Sequence, residues 1–153
     1  MFSEQDHIWM QHAIQLAKTA AQHDEVPVGA VLVSENKILG EGFNRPIGHC
    51  DPTAHAEILA LRAAGKEINN YRLIDTTLYV TLEPCLMCVG AVAHARVKRV
   101  IFGAYDLKTG AVQSAFQLGG IAKLNHRPAY QGGLLAEECG KLLSEFFQAK
   151  RIV

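Results

Sequence analysis

Residues 76–104 read "TTLYVTLEPCLMCVGAVAHARVKRVIFGA", and this run constrains the fold more than any other part of the chain. "TTLYVTL" (76–82) is rich in the β-branched and aromatic residues that suit a strand. "PCLMCVGAVAHAR" (84–96) follows at once, with Pro84 suited to the first turn of a helix. "KRVIFGA" (98–104) is a second strand. A strand, a helix and a strand in such a short span form a β–α–β unit, for which a right-handed parallel crossover is expected. Parallel strands are buried on both faces, so other elements must cover them.

The remaining chain supplies those elements. "SEQD" (3–6) resembles a capping box, with Asp6 where Glu or Gln is commoner. Behind it Trp9, Ala13, Leu16, Ala17 and Ala20 share one face, which predicts an amphipathic helix over 4–22. "SENK" (34–37) separates two β-rich runs and predicts a hairpin of 27–33 and 37–43. Asp51 or Thr53 is placed to cap a helix over 53–64 that Gly65 ends. The stretch 105–133 reads as loop, with glycine pairs at 119–120 and 132–133. A last helix over 134–148 carries Leu135, Leu142, Leu143, Phe146 and Phe147 as its apolar residues. The order predicts one domain over 1–153, of α/β class: three α-β-α layers around a central mixed sheet.

The 153 residues suffice to bury a core, and 49% hydrophobic with 20% charged residues reads as soluble and globular. The net charge of zero neither suggests nor excludes a nucleic-acid partner. Between 98 and 127, however, the charged residues are Lys98, Arg99, Lys108, Lys123 and Arg127 against Asp106 alone, a basic segment suited to phosphates. The N-terminus carries Glu4 and Asp6 where a secretory signal carries Lys or Arg, and no apolar run is long enough to cross a bilayer. A cytoplasmic protein without a membrane partner is expected. In that reducing setting Cys85 and Cys88 read as a metal or redox pair, and Cys50 and Cys139 as buried free thiols.

Cys85 and Cys88 stand at i and i+3 in the first turn of a helix, which brings both sulfurs to one side. The helix N-terminus favours the thiolate. Two thiolates are half of a tetrahedral zinc site. A redox C-x-x-C is one alternative, and a structural zinc site is another, but no second C-x-x-C is present to complete the latter. In "PTAHAEILALRAAG" (52–65), His55 and Glu57 open a helix two residues apart. On a helix flank such a pair points about 200° apart and cannot chelate one ion. At the first turn His55 can reach a metal while Glu57 reaches past it. Three protein ligands then leave a fourth position to water, the composition of a catalytic site.

At these residues, H-x-E followed by P-C-x-x-C, the sequence resembles the zinc-dependent cytidine and deoxycytidylate deaminase superfamily. That resemblance implies a cytidine-deaminase-like fold and one Zn²⁺ per subunit on His55, Cys85 and Cys88. It makes Glu57 the general acid/base that carries a proton from a zinc-activated water to the ring nitrogen and the leaving ammonia. "EVPVGAVLV", "GEGFNRPIG", "DPTAHAEILALR", "NYRLIDTTLYVTLEPCLMC", "FGAYDLKTGA" and "LNHR" further resemble the bacterial tRNA-specific adenosine deaminases over residues 8–148. This closer resemblance implies conversion of adenosine to inosine at the wobble position of a tRNA anticodon stem-loop, by a homodimer. It implies substrate contacts by Asn44, Asp106 and Phe146 or Phe147, of which Phe147 is the one expected. Tyr105 departs from the pattern, standing where Arg is common. Two alternatives stay open: a deaminase of free nucleosides, nucleotides or bases, and a zinc-stabilised binding protein without turnover.

Overall fold

The computed structural model describes residues 1–120 and 124–151. The elements run α1 (Glu4–Gln22), β1 (Gly29–Ser34), β2 (Lys37–Phe43), α2 (Ala56–Ile68), β3 (Thr77–Leu82), α3 (Leu86–His94), β4 (Arg99–Ala104), β5 (Ala129–Gly132) and α4 (Ala136–Arg151). The strands form one sheet in the order β2-β1-β3-β4-β5. β1 pairs antiparallel with β2 and with β3. The expected parallel pairing of β3 with β4 is present, with Thr77 opposite Arg99 and Leu82 opposite Ala104. β4 and β5 are also parallel.

Alternation along the strands builds the layers. Leu32, Leu78, Val80, Val100 and Phe102 face Ala56, Ala60 and Ala64 of α2 and Val89 and Val92 of α3. Val31, Val33, Tyr79 and Ile101 face Met10, Ala13 and Ile14 of α1 and Cys139 of α4. The sheet therefore lies between two helical layers, as the strand and helix order predicts. Small residues bring α2 close: a Cβ on Gly42 would stand 2.6 Å from the Ala56 carbonyl and 2.7 Å from the Leu59 Cβ.

α1 has the predicted span and a reciprocal capping box between Ser3 and Asp6. The hairpin turns through Glu35 and Asn36, both left-handed at φ 49° and 61°, a two-residue turn whose twist matches the strands. Asp6 does more than cap. It is 3% exposed and accepts from the Tyr79 hydroxyl at 2.7 Å and from the Arg99 guanidinium at 3.0 and 3.2 Å. Burial alone would raise its carboxyl, but bonds from Arg99, the Ser3 N–H and Tyr79 hold it down at about 2.

Several helix boundaries differ from expectation. α2 begins at Ala56, not 53, because Asp51 binds the N–H and hydroxyl of Thr53 in a local turn instead of capping the helix. It then passes through Gly65 and stops at Asn69, whose φ of 53° is the left-handed end that asparagine tolerates. α3 begins at Leu86, with Pro84 outside it and Cys85 as N-cap. α4 begins at Ala136 and extends to Arg151. β5 lies inside the predicted loop; it has four partly exposed residues and no alternation that a sequence pattern could register. Cys139 is buried as expected, but Cys50 is exposed, in a loop at φ 50°.

Candidate active site

Chain entry into two helices builds the site. β3 ends at Leu82, and Glu83 and Pro84 lead directly to Cys85, the N-cap of α3, with Cys88 three residues on. This is the carboxyl end of the parallel strands, where open α/β sheets place their ligands. His55 is the N-cap of α2. Its Nδ1 lies 3.5 Å from the Cys85 Sγ and 3.7 Å from the Cys88 Sγ. The three donor atoms lie within 4.8 Å of one another. A tetrahedral ion with Zn–S near 2.3 Å and Zn–N near 2.05 Å has an S···N edge of about 3.6 Å, so the donors fit zinc as they stand.

The electrostatics suit a cation. The hydrogen bond from Cys88, with a further one from His55, draws the Cys85 thiol down to about 4, against the cost of burial. Cys88 is pushed up, first by that same bond to Cys85 and then by burial, because the pair shares one proton. A divalent ion bound to both sulfurs displaces that proton. The bond to Cys85 also raises the His55 imidazole.

Glu57 occupies the first turn of α2, is 4% exposed and is not one of the three donors. Burial pushes its carboxyl up, which outweighs the opposing bond to its own N–H and the nearby His55. Such a carboxyl holds a proton more readily than an exposed one.

The residues expected to meet substrate fall in two groups. Asn44 follows β2, and its Oδ1 accepts from the Ala56 N–H at 2.8 Å, between His55 and Glu57. That bond fixes the carboxamide and leaves its N–H₂ as a donor for a ligand. Asp106 and Phe147 line a separate cavity of about 560 Å³ with Leu82, Tyr105, Lys108 and Arg151. The Asp106 carboxylate binds the N–H groups of Lys108 and Thr109 and the Thr109 hydroxyl. Phe147 is exposed, and Phe146 stacks edge-on against it at 5.5 Å. Tyr105 packs edge-on against Phe102, with ring centroids 5.2 Å apart.

The basic segment does not gather at this end. Lys98 precedes β4 and Arg99 opens it, and Arg127 lies two residues before β5, at the far end of these strands from Cys85. A six-residue strand separates the ends by roughly 20 Å. Arg99 is engaged by Asp6 and Gln131. Lys123 lies outside the described residues. The cations beside Asp106 are Lys108 and Arg151.

Two buried glutamates are legible only in the structure. Glu25, 2% exposed, accepts from the N–H groups of Ile47 and Gly48, in the loop after Asn44. Glu83, also 2% exposed, accepts from the loop that carries Asp106. The available signal was a Glu set immediately before Pro84 and Cys85, at the end of an apolar strand.

Residues 3–104 match the family model for the cytidine and deoxycytidylate deaminase zinc-binding region. The chain belongs to this deaminase family. Zinc is accordingly its metal, with His55, Cys85 and Cys88 forming the candidate centre. Among the family's curated members, the tRNA-specific adenosine deaminase of Haemophilus influenzae is 54% identical over 150 residues, covering 97% of this chain and 87% of that protein. The tRNA-specific adenosine deaminase of Buchnera aphidicola (subsp. Schizaphis graminum) is 46% identical and covers 99% of both chains. A solved structure from work on A-to-I editing by tRNA:A34 deaminases superposes with a TM-score of 0.86, at 40% identity, over 89% of this chain and 99% of that one.

Proposed function

We propose that this deaminase hydrolyses adenosine to inosine at the wobble position of a tRNA anticodon stem-loop, releasing ammonia. The observation that carries the chemistry is Glu57, a buried carboxyl beside three metal donors and outside the donor set. The near-full-length identity to tRNA-specific adenosine deaminases carries the choice of substrate.

In this reading His55, Cys85 and Cys88 hold the zinc. When bound, zinc supplies a Lewis acid that makes water nucleophilic near neutral pH. Glu57 accepts the proton that the attacking water loses and delivers it to the purine N1. The same carboxyl then assists departure of the exocyclic amine as ammonia. Asn44 donates from its fixed carboxamide to the bound nucleoside. Deamination needs the base out of its stack, so neighbouring nucleotides must be held elsewhere. The cavity of Asp106, Tyr105 and Phe147, rimmed by Lys108 and Arg151, suits an aromatic base on a phosphate chain.

The protein works as one deaminase domain, in the cytoplasm and as a homodimer. An apolar cavity of about 340 Å³ between α2 and α3, lined by Ile58, Leu61, Tyr71, Leu73 and Ala91, supports a subunit contact. Among the described residues no helix is long and apolar enough to cross a membrane. The test measures inosine in an anticodon stem-loop beside ammonia release from free adenosine, cytidine and guanine. Inosine in the RNA is expected. Turnover of a free base or nucleoside with none on RNA contradicts the proposal.

A further inference from the structure

We propose that Glu83 is a positioning residue that fixes the substrate-side loop 105–116 to the metal-side helix α3. Its carboxylate is spent on that loop. Oε1 accepts from the Asp106 N–H at 3.1 Å and from the Ser114 hydroxyl. Oε2 accepts from three successive N–H groups, Val112 at 3.1 Å, Gln113 at 2.9 Å and Ser114 at 3.0 Å. Among the described residues no Lys or Arg forms an ion pair with it. The charge is thus met by oriented backbone dipoles, as in an anion nest, but with the anion supplied by the chain itself.

The backbone on either side of Glu83 is held as well. The Glu83 N–H donates to the Ala104 carbonyl at 2.8 Å, and the Ala111 N–H donates to the Pro84 carbonyl at 2.8 Å. Gly110 lets the loop close over the carboxylate, since a Cβ there would stand 2.5 Å from the Glu83 carboxyl carbon. Glu83 lies two residues before Cys85, and its bonds reach both flanks of the Asp106–Thr109 turn. The carboxylate therefore sets the distance between the metal donors and the cavity of Asp106 and Phe147. An anionic acceptor suits this task because five donors converge on two oxygens. A glutamine would turn an N–H₂ toward N–H groups on one side and lose those bonds.

This inference rests on the substrate reading above, in which the Asp106 loop meets the RNA. A residue that only stabilised the fold would lower melting temperature and leave the Michaelis parameters alone. A residue that served the metal would change zinc content and kcat. A positioning residue changes KM. The experiment uses zinc-loaded Glu83→Gln and, as a milder variant that removes one bond, Ser114→Ala. It measures zinc per chain, stem-loop kinetics and amide hydrogen exchange.

For Glu83→Gln we expect zinc per chain equal to wild type and unchanged exchange across α3. The amides of Asp106, Val112, Gln113 and Ser114 should exchange at least roughly tenfold faster. KM for the stem-loop should rise about tenfold, with kcat within about threefold. Ser114→Ala should move the same readouts the same way by less, and it carries the test if Glu83→Gln fails to fold. Loss of zinc, or a fall in kcat at unchanged KM, overturns the proposal. Wild-type inactivity on the stem-loop overturns the substrate reading instead. In that case unchanged protection of these four amides in the variants overturns the positioning claim.

Discussion

His55 and Cys85 are the N-cap residues of two different helices, and their Nδ1 and Sγ atoms lie 3.5 Å apart. Neither side chain makes a capping bond to its own helix. Each forgoes the usual stabilisation of an N-cap, on the order of 1 kcal/mol, so that its donor atom faces the other helix. We therefore expect His55→Ala and Cys85→Ala to lose zinc rather than fold. Metal analysis after dialysis should find less than about a tenth of the wild-type zinc, since structural thiolate and imidazole ligands contribute most of the affinity of such a site. Far-ultraviolet circular dichroism should stay close to wild type.

The thiols should separate in reactivity once the metal is removed. Cys85 is drawn down to about 4 and is a thiolate at neutral pH, whereas burial pushes Cys139 up to about 12. Chelator-treated protein exposed briefly to iodoacetamide at pH 7 should be alkylated at Cys85 and not at Cys139, as read by peptide mass spectrometry. Zinc-loaded protein should be protected at Cys85. Equal labelling of Cys85 with and without zinc would count against its place at the metal.

The Asp6–Arg99–Tyr79 cluster gives a pH signature. Asp6 has an ordinary value of 3.8 and a folded value of about 2, so the folded state binds its proton less readily than the unfolded chain. Its contribution is therefore complete above about pH 4 and is lost as pH falls from there towards 2. Asp6→Asn should destabilise the protein at pH 7 by on the order of 2 kcal/mol and remove that part of the acid dependence. Urea unfolding at pH 7 and pH 3 checks this: the gap between wild type and variant should narrow at the lower pH.

Gly42 lets α2 lie directly on β2. A Cβ at this position meets the Ala56 carbonyl at 2.6 Å, in the turn that follows His55. Gly42→Ala should therefore cost about 3 kcal/mol, the upper end for overpacking, because backbone rather than a flexible side chain must move. Thermal unfolding of the zinc-loaded protein measures it.

Most of the architecture was legible because its elements carry strong local patterns. The β3–α3–β4 unit, the hairpin and α1 each combine periodicity with a turn or cap signal. The edge strand β5 carried none, and its Ala129–Gly132 pairing is set by β4 beside it. Helix starts were misplaced where a capping residue type had other work. Asp51 folds back on Thr53, and the positions of His55 and Cys85 are set by each other across the site. The spacing of His55, Glu57, Cys85 and Cys88 was visible in the sequence. The basic segment misled because sequence distance along β4 hides a strand's length in space. Glu25 and Glu83 were missed because a glutamate's partners were backbone N–H groups of remote loops, which leave no trace in side-chain pattern.

In the proposed mechanism His55 serves the metal and Glu57 carries the proton. Glu57→Gln preserves the shape of the side chain and removes its acid–base chemistry. The decisive measurement is inosine formation in an anticodon stem-loop by this variant, with zinc determined on the same sample. The expected result is wild-type zinc with the rate reduced by roughly a thousandfold or more. Undiminished inosine formation, or loss of zinc from the variant, would contradict the account.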